Sequence, residues 1–84
     1  MRYADVFCKY HETYEDGNQY YVYSGVCIIS GKEVSVKIPA KELSEYRRGL
    51  PIQEAMRSVS ADDREFLISG IAGDEYDKMF AEDD

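Results

Sequence analysis

Two glycine-containing dipeptides, Asp16-Gly17 and Ser30-Gly31, constrain this chain more than any other feature. Each interrupts a stretch rich in Tyr, Val and Ile, and each suits the positive φ angles of a tight hairpin turn. Residues 3–14 and 19–29 read as strands, and residues 32–38 (Lys-Glu-Val-Ser-Val-Lys-Ile) alternate with period two. A three-stranded antiparallel meander follows.

Its registers can be derived one hairpin at a time. A two-residue loop at Asp16-Gly17 sets Glu15 opposite Asn18. Tyr10 then faces Tyr23, Cys8 faces Gly25, Val6 faces Cys27 and Phe7 faces Val26. A two-residue loop at Ser30-Gly31 pairs Cys27 with Val34, Gly25 with Val36 and Tyr23 with Ile38. Both derivations put Val6, Cys8, Tyr10, Tyr23, Cys27, Val34, Val36 and Ile38 on one face, and a slip of one residue in either would break the agreement. Val6, Cys27 and Val34 are expected side by side across the three strands.

After Ile38 the period lengthens. Pro39 can open a helix because its missing N–H would have no partner there. Leu43 and Tyr46 recur at i, i+3, and Gly49 fits a stop. A second start follows at Pro51, with Ile52, Ala55 and Met56 as an apolar stripe. Ser60 is an N-cap, with Asp62 and Asp63 in the first turn where the helix dipole favours negative charge. That helix turns Phe66 and Leu67 inward and stops at Gly70. A last helix is expected over residues 74–80, carrying Tyr76, Met79 and Phe80. The expected fold is α+β, a meander followed by three or four short C-terminal helices packed on one face of the sheet. At 84 residues the chain reads as one domain: meander 1–38, helical part 39–80 and a frayed acidic tail 81–84.

The net charge of −7 is unevenly placed. Acidic and basic residues balance over 1–59, eight of each, while 60–84 holds nine acids against Arg64 and Lys78. Phosphate-backbone binding needs Lys and Arg to displace counterions, so direct nucleic-acid binding is not expected. An acidic surface suits a basic protein partner. Asp62, Asp63, Glu65, Asp74, Glu75 and Asp77 are candidates for it. Their spacing does not match a calcium loop, and no second His or Cys stands at ligand distance from His11, so no metal or cofactor is expected. No apolar run reaches membrane-span length and the start lacks a signal-peptide core, so the expected compartment is the cytoplasm. Cys8 and Cys27 read as buried, reduced thiols with no functional disulfide. Cys8 and His11, three apart on one strand, would point to opposite faces and make no catalytic dyad. No other acid–base or nucleophile pair is visible, and the chain does not read as an enzyme.

The second sheet face is expected to hold Tyr3, Phe7, Tyr20, Val22, Val26 and Ile28, with His11 among them. Clustered Tyr and Phe with aliphatic neighbours is the composition of a contact surface. These residues are the candidate partner-binding site.

Residues 58–71 (Ser-Val-Ser-Ala-Asp-Asp-Arg-Glu-Phe-Leu-Ile-Ser-Gly-Ile), followed by Tyr76-Asp77-Lys78-Met79-Phe80, resemble small proteins encoded by bacteriophages, notably tailless phages with small single-stranded DNA genomes. The segment from Tyr46 to Met56, with Tyr-Arg leading into Ile-Gln-Glu-Ala, and the Val-Ser-Val-Lys-Ile-Pro strand extend the likeness over roughly residues 34–80. Members often carry Trp at the position of Tyr76 and Cys or Pro at that of Ala72-Gly73. The resemblance implies a phage or prophage origin and carries no catalytic residues over. The expected role is an accessory protein that binds a host or phage protein in the bacterial host cytoplasm. Inhibition of a host defence protein or of a basic nucleic-acid-processing protein is one form of it. The alternative is a structural, self-assembling homodimer.

Overall fold

The computed structural model describes residues 1–71. It has an α+β fold, with a three-stranded antiparallel sheet in the order β1 (Lys9–Glu15), β2 (Asn18–Val26), β3 (Glu33–Pro39). A short helix α1 (Arg2–Phe7) precedes the sheet. α2 (Ala40–Arg47), α3 (Ile52–Ala55) and α4 (Ala61–Ser69) follow it. The expected helix at 74–80 and the tail at 81–84 lie outside the described residues.

The first hairpin has the derived register: Glu15 faces Asn18, Tyr10 faces Tyr23 and His11 faces Val22. Asp16 and Gly17 both adopt positive φ, 53° and 80°, as a two-residue turn matched to strand twist requires. The second hairpin corrects its expectation. The Cys27 N–H donates to the Lys32 carbonyl at 2.9 Å, leaving residues 28–31 as a four-residue loop. Within it the Gly31 N–H donates back to the Cys27 carbonyl, so Gly31, at φ 75°, ends a helical turn begun at Cys27. The register therefore moves by two: Val34 faces Gly25, Val36 faces Tyr23 and Ile38 faces Tyr21. A shift of two keeps every side chain on its face. Tyr23, Cys27, Val36 and Ile38 are accordingly all buried against the helices.

The N-terminus differs more. Residues 3–8 are not strand; residues 2–7 form α1 and Cys8 is extended. A strand continued upstream at the β1 register would set Val6 against Cys27 and Tyr3 against Ser30. Ser30 lies in the loop, and Cys27 already bonds to Lys32 and Gly31 through its own N–H and C=O, so neither is left to pair with. As a helix the segment instead buries Met1 and Ala4. The Met1 ammonium donates to the Tyr46 hydroxyl at 2.6 Å and lies 3.6 Å from Asp5. Tyr3 donates its hydroxyl to the Val26 carbonyl at 2.6 Å, and its ring meets Phe66 edge-on at 5.6 Å. Val6 therefore does not join the sheet and stands 70% exposed.

The helices after β3 start where the sequence marks them. Pro39 and Pro51 precede α2 and α3. Ser60 caps α4 by accepting the Asp63 N–H at 3.1 Å, and Gly70 closes it in the left-handed conformation. A side chain at Gly70 would strike the Tyr3 ring, 2.6 Å from an added Cβ, so this glycine also lets α1 dock. Gly25 plays a similar part under Cys8, whose Sγ lies 2.5 Å from where a Cβ would stand. The one buried carboxylate of the described core, Glu42, accepts from the Ser58 N–H at 3.1 Å and the Ser58 hydroxyl at 2.5 Å. It thereby ties α2 to the connection before α4. Phe66, Leu67, Met56 and Leu43 complete the core over the sheet.

Candidate functional site

The side chains pointing toward the helices from β1 are Tyr10, Glu12 and Tyr14, and from β2 they are Gln19, Tyr21 and Tyr23. Only Tyr23 is buried. Among the described residues the helices pack over the β2–β3 side of this face and stop short of β1. Tyr10 and Tyr14, on the same face, remain 61% and 66% exposed. Between the uncovered hairpin wall and the flank of α2 lies a groove of about 470 Å³. Tyr10, Gln19 and Tyr21 form one side and Leu43, Ser44, Arg47 and Arg48 the other.

The strand-side wall is held by its own contacts. The Tyr10 ring stacks on Tyr23 at 5.3 Å between centroids and meets Tyr21 edge-on at 6.0 Å. Gln19 donates to Glu12 at 2.7 Å, and the Tyr21 hydroxyl donates to the same carboxylate oxygen at 3.3 Å. Across the groove Arg47 donates to the Tyr23 hydroxyl at 3.1 Å. Burial pushes the Tyr23 phenol up from its ordinary value, against the pull of Arg47. Partial burial, helped by the adjacent Glu12 carboxylate, does the same to Tyr21. The groove therefore offers phenols, which present apolar rings and hydroxyls that donate or accept, and two arginines, which donate to carboxylates of a partner.

The sequence-derived contact residues are divided among three places. His11, Tyr20, Val22 and Val26 share the opposite sheet face. That face is a mixed polar surface, with Lys37 pairing with Glu15 at 2.7 Å and its ammonium 5.0 Å from the Tyr20 ring centroid. The Glu15 hydrogen bond raises the Lys37 pKa. Tyr3 and Phe7 belong to α1, so Phe7 does not face Val26; it stacks on Tyr3 at 5.1 Å beside Val6 and Ile68. Ile28 sits in the second turn, its N–H donating to the Gly70 carbonyl at 2.9 Å.

Of the acidic candidates, Asp62 is exposed while Asp63 and Glu65 are half-buried on α4; Asp74, Glu75 and Asp77 lie outside the described residues. Among the described residues no group of three His, Cys, Asp or Glu side chains converges as a metal site would. No helix among them is long and apolar enough to cross a membrane. Burial raises the pKa of Cys8, which disfavours its thiolate.

Contact was expected from the opposite sheet face, so none of the groove-lining residues is among the sequence-derived candidates. The available signal was parity: Tyr10, Tyr14, Tyr21 and Tyr23 fall on one face. Comparison with family models, curated proteins and solved structures finds no match to this chain.

Proposed function

We propose that the protein works by binding another protein through the tyrosine–arginine groove and performs no chemistry on it. The observation that carries this reading is the groove itself, about 470 Å³ in size and walled by Tyr10 and Tyr21 against Arg47 and Arg48. Tyr and Arg are the side chains that most often dominate binding energy at interfaces. Contacts among Tyr10, Gln19, Tyr21 and Tyr23 hold the wall in place before a partner arrives, which lowers the ordering cost of binding. The acidic excess of residues 60–84 supports a basic, nucleic-acid-binding protein as the partner, with Asp62, Asp63 and Glu65 as a second contact. In the phage setting that the sequence resemblance implies, such a complex would inhibit a host protein, one of host defence included, by stoichiometric occupation.

The test is a quantitative pull-down from bacterial lysate with the wild-type chain, an Arg47→Glu/Arg48→Glu variant and an Asp62→Asn/Asp63→Asn variant. The groove variant should lose its partner by about thirtyfold or more, as at an interface hot spot. The α4 variant should weaken capture only modestly, and mainly at low salt. If the α4 variant alone loses the partner, contact runs through the acidic surface and the groove reading is wrong.

A further inference from the structure

Backbone hydrogen bonding makes one edge of the sheet available to a partner. The Cys27–Lys32 bond makes the odd-numbered residues of β2 the ones that bond to β3, leaving its even-numbered residues to bond to β1. Tyr10, Glu12 and Tyr14 stand opposite odd-numbered β2 residues, so their N–H and C=O groups point away from the sheet. No proline or bulge interrupts the seven residues of β1, and all are exposed except half-buried Thr13. The β3 edge differs, because Pro39, one of its outward-facing residues, has no N–H to offer a neighbouring strand.

We propose that β1 pairs antiparallel with β1 of a second copy of this chain, about a two-fold axis at Glu12, joining the two sheets into one. In that register Tyr10 faces Tyr14 of the other copy, and Glu12 faces its own equivalent. These pairs bring together all the outward-pointing backbone groups of β1. Lys9 then lies opposite Glu15 of the other copy, twice over, and His11 opposite Thr13. Sliding by two residues in either direction leaves Lys9 or Glu15 without its opposite charge, so the centred register is the most complementary. Lys9 of the other copy would share Glu15 with Lys37, which already bonds to it at 2.7 Å. The aromatic pairs would extend the tyrosine wall across the axis. Glu12 against Glu12 is the one unfavourable pair. Each carboxylate accepts hydrogen bonds from Gln19 and Tyr21, which moderates the repulsion without removing it.

That weakness gives the proposal a distinctive test by sedimentation equilibrium of the full chain across the micromolar to millimolar range. The wild-type chain should dimerise, and Glu12→Gln should tighten the dimer by roughly twofold to fivefold. Glu12→Pro should abolish it, since the lost N–H points to the edge and is not used within the sheet. Lys9→Glu alone and Glu15→Lys alone should each weaken self-association by about tenfold, while an equimolar mixture restores it through two opposite-charge pairs. Monomers at every concentration for both wild type and Glu12→Gln would overturn the proposal. So would a dimer that survives Glu12→Pro, or a mixture no tighter than its components. Should Glu12→Pro fail to fold by circular dichroism, the charge-swapped mixture decides alone.

Discussion

One face of one sheet behaves in two ways. Along β3 and the middle of β2 its side chains are sealed: Tyr23, Val36 and Ile38 lie under Leu43, Met56, Phe66 and Leu67. Along β1 and toward the first turn, residues of the same parity stand open, as Tyr10 and Tyr14 do. The strands and the alternation are common to both regions. The difference is the reach of the described helices, which are short and contact β2 and β3 rather than β1. Among the described residues the helices leave β1 without a roof. What is left uncovered is tyrosine, a side chain with an apolar body and a polar tip that tolerates both water and contact. The sealed region stabilises the fold, and the open one is the surface on which the proposed binding rests.

The largest expected break between the regions is Phe66→Ala. Phe66 has no exposed surface and touches both the sheet and Tyr3. Its truncation should cost about 3–5 kcal/mol in urea unfolding and loosen α1 along with the core. A cost below 1 kcal/mol would mean that α4 does not close the sheet as described.

A smaller effect sits at the boundary, where Tyr23 has its ring buried and its phenol pKa raised by that burial. The folded state then holds the phenol proton more tightly than the unfolded chain. Its contribution is complete below the unfolded value, near 10, and is lost as pH rises through the folded value. Stability should therefore fall above about pH 10, with a slope from this group of at most about 1.4 kcal/mol per pH unit. Tyr23→Phe should flatten the part of that slope due to Tyr23 in denaturant titrations at alkaline pH. An unchanged slope would assign the decline to other groups.

The smallest effect should come from Tyr14→Ser in the open region. Tyr14 is 66% exposed, and the change should move the unfolding midpoint by less than about 0.5 kcal/mol. A cost near that of Phe66→Ala would show that Tyr14 is part of the core and would erase the contrast between the regions.

Much of this fold is legible in the sequence where interactions are local. Asp16-Gly17 sets the first register because only a two-residue turn with both φ values positive joins those strands. Ser60 with Asp63, and Gly70 ten residues after Ser60, bracket α4 by hydrogen bonds made within a few residues. Ser30-Gly31 misled because glycine at positive φ serves equally in a two-residue turn and at the end of a four-residue loop, and local sequence does not separate them. The candidate site was less legible: residues expected on one sheet face fell into three places once residues 2–7 became helix and residues 28–31 became a four-residue turn.

What the chain determines by itself is therefore parity and punctuation: which side chains share a face, where helices start and stop, and the charge of each segment. These depend on backbone geometry and on neighbours a few positions away. Tertiary structure decided the rest. α1 exists because β2 ends at Val26 while Phe66, Tyr46 and Gly70 offer Met1, Tyr3 and Ala4 a place to pack. The groove exists because the described helices contact β2 and β3 and not β1, a long-range outcome that no local pattern contains.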